Sequence, residues 1–321
     1  MIDYPAHLES MWQKAIAPRE ANAPTVVSTF AGGGGSLTGY LMAGYRDLLA
    51  VEWDGNAVAT LRANYPDLDI YHGDIAKLTV DEVLERTGLK PGDLDILDGS
   101  PPCQGFSTAG KRVMDDPRNQ LFREYVRLLR GLRPKVFVME NVSGMVKGKM
   151  KLVFVEILKE LKASGYRVSA KLLNAMYFHV PQSRERMIFI GVRDDLGIEP
   201  SHPKAEGRPV CALCAIEGVK DTPNHYGPRK FNQAMRRLEH HRPSPTLTKS
   251  EVPGADLPWA GGARIGDKRA QIIASFPLIH TFAGDWKDAI NRIGNSVPPL
   301  FMEAIARHIR REILAKVEHG D

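Results

Sequence analysis

The chain has 321 residues, 43% of them hydrophobic and 25% charged, with 43 Lys and Arg against 38 Asp and Glu for a net charge of +5. That balance fits a folded globular chain and excludes a disordered or low-complexity one, while three cysteines, Cys103, Cys211 and Cys214, are too few for a disulfide framework and fit a reducing compartment. No apolar run reaches the roughly 18 residues of a membrane span, and the N-terminus lacks the basic start and apolar centre of a signal peptide, so a cytoplasmic location is expected.

Leu8, Met11, Trp12 and Ile16 recur at helical spacing near the start. After Pro24 the run TVVSTFA reads as a strand, and it leads into FAGGGGSLTG, residues 30 to 39, a glycine-rich turn that enters a helix. LLAVE (48–52), DLDIY (67–71), LDILDG (94–99) and KVFVME (135–140) read as short buried strands. Between them 36–43, 55–64, 80–87 and 118–132 read as helices, ended by Gly44, Pro66, Gly88 and Pro134. Such alternation argues for an α/β fold with a doubly wound, mostly parallel sheet. A helix is expected over 150–163, and then YRVSAKLL and RMIFIGVR follow with no clear helix between them, which predicts an antiparallel hairpin at one sheet edge. From 194 to 283 the chain is punctuated by proline and glycine, and this span reads as a second, smaller, irregular domain after a first one over 1–193. Residues 284–321 return to the first domain, with a helix over 297–316 whose stripe is Leu300, Ile305, His308, Ile309 and Ile313.

Several pieces bear on chemistry. Glycines without a Cβ let a ligand approach the backbone, and the helix behind them offers N–H groups. A dinucleotide phosphate, a nucleoside-type cofactor and a bare tight turn are all compatible with that alone. Glu52 ends the second strand 17 residues past Gly35, where doubly wound nucleotide sites place an acid for ribose hydroxyls. Asp74 follows the third strand in HGDI and is able to accept from an adenine amino group. Strand ends on one edge of a parallel sheet face a common crevice, so these segments converge.

Cys103 follows two prolines just past the fourth strand, in DGSPPCQGFS. Two rings in a row fix the backbone and withhold two N–H donors, which suits neither a helix interior nor a central strand. Glu140 ends the next strand in MENV, and a carboxylate directly after an apolar strand needs a partner or a function. Arg184 and Arg186 in VPQSRER lie two apart, so an extended backbone points both the same way. Each has a bland alternative, a structural buried cysteine or a surface ion pair, but thiol, carboxylate and paired guanidiniums around one crevice suggest covalent catalysis on an electron-poor ring.

The ordered set FAGGGG, VEWD, HGDI, GSPPCQGFS, MENV, QSRER and RIGNSVPP, spanning residues 30 to 299, resembles the bacterial-type cytosine-5 DNA methyltransferases. The resemblance implies a methyltransferase sheet with a target-recognition domain over 194–283. It implies S-adenosylmethionine as cofactor, no metal, and S-adenosylhomocysteine as product. Cys103 would attack carbon 6 of a cytosine flipped out of double-stranded DNA, Glu140 would contact ring nitrogen 3 and the exocyclic amine, and Arg186, assisted by Arg184, would contact the carbonyl oxygen. Phe30, Ala31, Gly32, Gly34, Glu52, Trp53, Asp74, Ile75 and Leu121 would surround the cofactor, completed by Asn295 and Ser296. Gln104 and Ser107 would lie near the DNA backbone and the vacated stack. Residues 225 to 250 hold six Lys or Arg against one Glu, and Arg236, Arg237 and Arg242 there would touch phosphates. The family acts as a monomer on DNA, either beside a separate cognate restriction endonuclease or alone.

CALC, residues 211 to 214, is a single CxxC and too little for zinc; it resembles the short helix that opens the family's variable region. Three other readings compete. A related branch methylates cytosine in transfer RNA, but it typically replaces the glutamine and glycine that stand here as Gln104 and Gly105. A dinucleotide oxidoreductase leaves Cys103, Glu140 and Arg186 without a task, and a nicotinamide titration separates it. A DNA binder without catalysis is opposed by the presence of every reactive group.

Overall fold

A computed structural model of the chain describes residues 3–102, 120–146, 150–217, 242–248 and 266–319. Cys103, Gln104, Ser107, Arg236 and Arg237 lie outside the described residues, as does most of the basic stretch.

Strands β1 (Thr25–Thr29), β2 (Arg46–Glu52), β3 (Ile70–His72), β4 (Ile96–Gly99), β5 (Val136–Val142), β6 (Tyr166–Asn174) and β7 (Glu185–Arg193) form one sheet in the order β3-β2-β1-β4-β5-β7-β6. The first five run parallel, and β7 is antiparallel to both neighbours. The predicted hairpin is present at the sheet edge, with its second arm inserted between β5 and the first. β3 starts later than expected, because Pro66 to Asp69 turn back on the preceding helix through the Leu68 N–H and the Tyr65 carbonyl.

Helices α1 (Tyr4–Ile16), α2 (Gly35–Met42), α3 (Gly55–Asn64), α4 (Val80–Thr87), α5 (Gln120–Leu132) and α6 (Met150–Lys162) alternate with these strands. Local chemistry sets their ends. The Asp54 and Thr79 side chains accept from N–H groups in the first turns of α3 and α4, and Gly88 closes α4 in a left-handed conformation. In α1 the buried face is Tyr4, Leu8, Met11, Trp12 and Ala15. Ile16, predicted to share that face, is half exposed because Ala15 fills it in the last turn.

The sheet separates two cores. One packs Val26, Ile96, Val138 and Ile190 against α1, α2 and the C-terminal helix; the other packs Val27, Leu97, Phe137 and Phe189 against α4, α5 and α6. Helices α7 (Ala212–Glu217), α8 (Gly266–Ile273), α9 (Trp286–Asn295) and α10 (Pro299–Ile309) join the first core. A π-helical turn, Arg310–Leu314, continues α10.

The return of the C-terminal segment depends on two glycines one turn apart in α2. A Cβ on Gly35 would stand 2.1 Å from the Val297 carbonyl oxygen, and one on Gly39 2.6 Å from the Met302 Cβ and the Pro299 carbonyl oxygen. Backbone therefore packs directly on backbone, which brings the end of α9 to the mouth of the glycine-rich turn. Within 194–283, the described residues Ile198, Leu213, Leu247, Ile273 and Phe276 are buried in this same core.

Candidate active site

At the carboxyl edge of β1 the chain alternates into left-handed conformations at Phe30, Gly32 and Gly34, with φ of 55°, 53° and 83°. Phe30 carries the strain of a side chain there, and the loop around it is tied down on three sides. The Ala31 N–H donates to the Val51 carbonyl, the Gly32 N–H to Glu52 Oε2 at 2.7 Å, and His280 Nε2–H to the Gly33 carbonyl at 3.1 Å. A carbonyl only accepts, so that contact fixes the His280 tautomer. Burial pushes the His280 imidazole down to about 4, and it is neutral at pH 7.

The loop opens on a cavity of about 790 Å³, within the roughly 300–1,000 Å³ usual for cofactor sites. Phe30, Ala31, Gly32, Glu52, Trp53, Asp74, Ile75, Leu121, Asn295 and Ser296 all line it; Gly34 does not, being the N-cap of α2 beneath the wall. Glu52 Oε1 accepts from the Trp53 and Asp54 N–H groups and Oε2 from Gly32, leaving about one acceptor position on Oε2 for a ligand. The Trp53 side chain is 77% exposed, an apolar face without protein cover. Asp74 is exposed, with Oδ1 accepting from the Ala76 N–H. Arg292 in α9 joins the wall and ion-pairs with Asp54, closing the C-terminal segment against α3. One open acceptor position on Glu52 and an exposed aromatic face fit a nucleoside.

The opposite end of the cavity is formed by Ser100, Pro101, Pro102 and Glu140. Pro102 immediately precedes Cys103, and the Asn141 side-chain amide donates to the Pro101 carbonyl at 3.2 Å, holding the proline pair. Glu140 Oε1 and Arg186 Nε form an ion pair at 2.6 Å with both side chains largely buried. The register explains it: Val142 opposes Arg186 and Glu140 opposes Ile188, so Glu140 and Arg186 are diagonal neighbours on one face. Arg184, just before β7, is 1% exposed, donates from Nη1 to the Leu247 carbonyl, and does not line the cavity. Burial, and next the Arg186 charge, push its guanidinium down to about 9.

Arg242 is exposed, and its carbonyl accepts from the Ala212 N–H at the start of α7. Cys211 Sγ accepts from the Cys214 N–H, so CALC does open a short helix, and among the described residues no cluster of three His, Cys, Asp or Glu has metal-binding geometry.

Four side chains in or behind this site carry no signal of their own in the sequence. Asn141 sits inside MENV, where the glutamate draws the eye. Arg292 lies inside RIGNSVPP. His280 and Asp98 are a lone histidine and a lone strand acid, and nothing local separates them from structural residues.

The sequence model described as C-5 cytosine-specific DNA methylase matches residues 25–252. The Type II methyltransferase M1.HphI of Haemophilus parahaemolyticus is 31% identical over 324 residues, covering 89% of this chain and 86% of its own. M.AquIA of Picosynechococcus sp. is 44% identical over 177 residues, covering 52% of this chain and 71% of its own. Among solved structures, a DNA modification methyltransferase encoded within an E. coli prophage superposes with a TM-score of 0.74 at 23% identity, covering 91% of this chain and all of that one, a likeness of fold. The chain belongs to the C-5 cytosine-specific DNA methylases. Its activity is therefore that of a DNA cytosine-5 methyltransferase.

Proposed function

We propose that this chain transfers a methyl group from S-adenosylmethionine to carbon 5 of a cytosine flipped out of a short specific duplex sequence, through a covalent adduct with Cys103. The observation that carries this reading is the shared cavity: the glycine-rich turn, Glu52 and Trp53 at one end, and Pro101, Pro102 and the Glu140–Arg186 pair at the other. Glu52 would accept from the ribose, Trp53 would cover the adenine face, and Asp74 would accept from its amino group. When bound, S-adenosylmethionine supplies the methyl group on a sulfonium and leaves as the neutral thioether.

The chain's own residues do the rest. Asn141 holds the proline pair that directly precedes Cys103 in the sequence. The Cys103 thiolate adds to carbon 6 while Glu140 supports protonation at ring nitrogen 3, which draws electrons from the ring. Arg186 holds the carboxylate of Glu140 and addresses the carbonyl oxygen. Carbon 5, now electron-rich, accepts the methyl group and then loses its proton to a base, and rupture of the carbon–sulfur bond restores the ring and the thiolate. Arg184 positions this cluster from behind, since it is buried.

Residues 194–283 would form the recognition domain, with Arg236, Arg237 and Arg242 on phosphates and Gln104 and Ser107 at the DNA beside the flipped base, the chain acting as a monomer. A pool of duplexes containing 5-fluorocytosine tests the mechanism, because fluorine at carbon 5 cannot leave as a proton. The expected result is a denaturation-resistant protein–DNA adduct that needs S-adenosylmethionine and disappears in Cys103→Ala. An equal adduct in that variant would exclude Cys103 as the nucleophile.

A further inference from the structure

Asp98 is an acid that the reaction above does not use. It lies on β4 two residues before the cavity wall begins at Ser100, and it is 3% exposed. The Tyr40 hydroxyl of α2 donates to its Oδ1 at 3.1 Å, and Ser36, one turn earlier on the same helix, lines the cavity. The charged and titratable groups around it are Glu140 from β5, Asp47 from β2, Tyr40 from α2 and Tyr125 from α5. None is a cation. Burial, reinforced by Glu140, pushes its carboxyl up to about 7 against the hydrogen bond of Tyr40. A buried acid with no positive partner among the described residues thus stands just behind the cavity wall, beside Ser100 and Pro101.

The position within the cavity gives this a consequence. A methyl donor must place its reacting atom at the end formed by Pro102 and Glu140, which is the end that the chain reaches at Ser100 and Pro101, two and three residues past Asp98. We propose that Asp98 is a charge-sensing residue that discriminates the cationic sulfonium of S-adenosylmethionine from the neutral thioether of S-adenosylhomocysteine. A cation there favours the ionised form of Asp98, so binding of the methyl donor expels a proton that binding of the product does not. After transfer the positive charge is gone, the carboxylate takes up a proton, and the product is held less tightly. By linkage, each unit by which the sulfonium lowers the Asp98 pKa raises the preference for donor over product by up to about tenfold as pH rises through the range where free Asp98 titrates.

This inference rests on reading the cavity as the S-adenosylmethionine site, and the test separates the two. Titration calorimetry at pH 7 in two buffers of different ionisation heat counts protons exchanged when either ligand binds, in the wild type and in Asp98→Asn, which keeps the shape of the protonated acid. The expected result is proton release with S-adenosylmethionine in excess of that with S-adenosylhomocysteine, lost in the variant. A donor-to-product affinity ratio that climbs between pH 6 and pH 8 in the wild type and stays flatter in Asp98→Asn agrees with it. Equal proton counts for the two ligands in the wild type overturn the inference while leaving the site assignment intact, and that comparison decides even where the variant fails to fold. Binding of neither ligand overturns both.

Discussion

Glu140 Oε1 and Arg186 Nε stand 2.6 Å apart on adjacent antiparallel strands, both largely removed from solvent. The pair exists because β7 enters the sheet beside β5, which sets Arg186 diagonal to the carboxylate. Each residue therefore supports the other, and the proposed mechanism uses both.

Glu140→Gln keeps shape and removes the charge. Its turnover should fall by about 10²–10⁴-fold, the usual worth of a positioned acid–base group, which single-turnover methylation measures. Arg186→Ala leaves a buried carboxylate without its ion-pair partner and should also cost about 3 kcal/mol of stability, read by denaturant unfolding.

Trp53 offers an indole face that is 77% exposed. Trp53→Ala should weaken S-adenosylmethionine binding by about tenfold, at the lower end of the roughly 1–3 kcal/mol of an aromatic stack on a base. The melting temperature should hardly move, because the ring packs on little protein. A large drop in melting temperature with unchanged affinity would contradict the placement of Trp53 at the ligand.

Two glycines at helix starts should respond oppositely to alanine. Gly35→Ala drives a methyl group into the Val297 carbonyl and should cost about 1–3 kcal/mol or more, while a Cβ on Gly55 meets nothing within 4 Å and should be neutral or slightly stabilising. Urea unfolding of the two variants makes the comparison.

His280 makes stability depend on pH on the acid side. Its folded pKa is lowered to about 4 from an ordinary 6.5, so the unfolded chain binds the extra proton between those values. The stabilisation is present above about pH 6.5 and is lost as pH falls through about 4, by up to roughly 3 kcal/mol. Asp98 acts in the opposite sense: its folded pKa is raised to about 7, so its contribution is full below about pH 4 and is lost as pH rises through 7. Since the two partly cancel, the measurement is the difference between wild type and His280→Gln, which should narrow as pH falls from 6.5 to 4.

The strand and helix alternation was legible because buried strands and capped helices are local patterns, and Glu52, Asp74 and Glu140 were legible because each stands near the carboxyl end of such a strand. The order of the last two strands was not, since a hairpin pattern does not say which arm pairs with β5. Nor were the roles of His280 and Asp98. His280 meets the Gly33 carbonyl across 247 residues and Asp98 meets Tyr40 across 58, so each acquires its role from packing that no short window contains. Ile16 shows the same limit in small, because neighbours decide which residues of an apolar stripe are covered.

The proposed function turns on methyl transfer to DNA cytosine through Cys103. Expression in a host lacking cytosine methylation, followed by conversion sequencing of its genome, tests it most directly, with Cys103→Ala alongside. The expected result is 5-methylcytosine at one short motif in the wild type and none in the variant. An unmethylated genome despite folded protein, or methylation that survives the substitution, would contradict it.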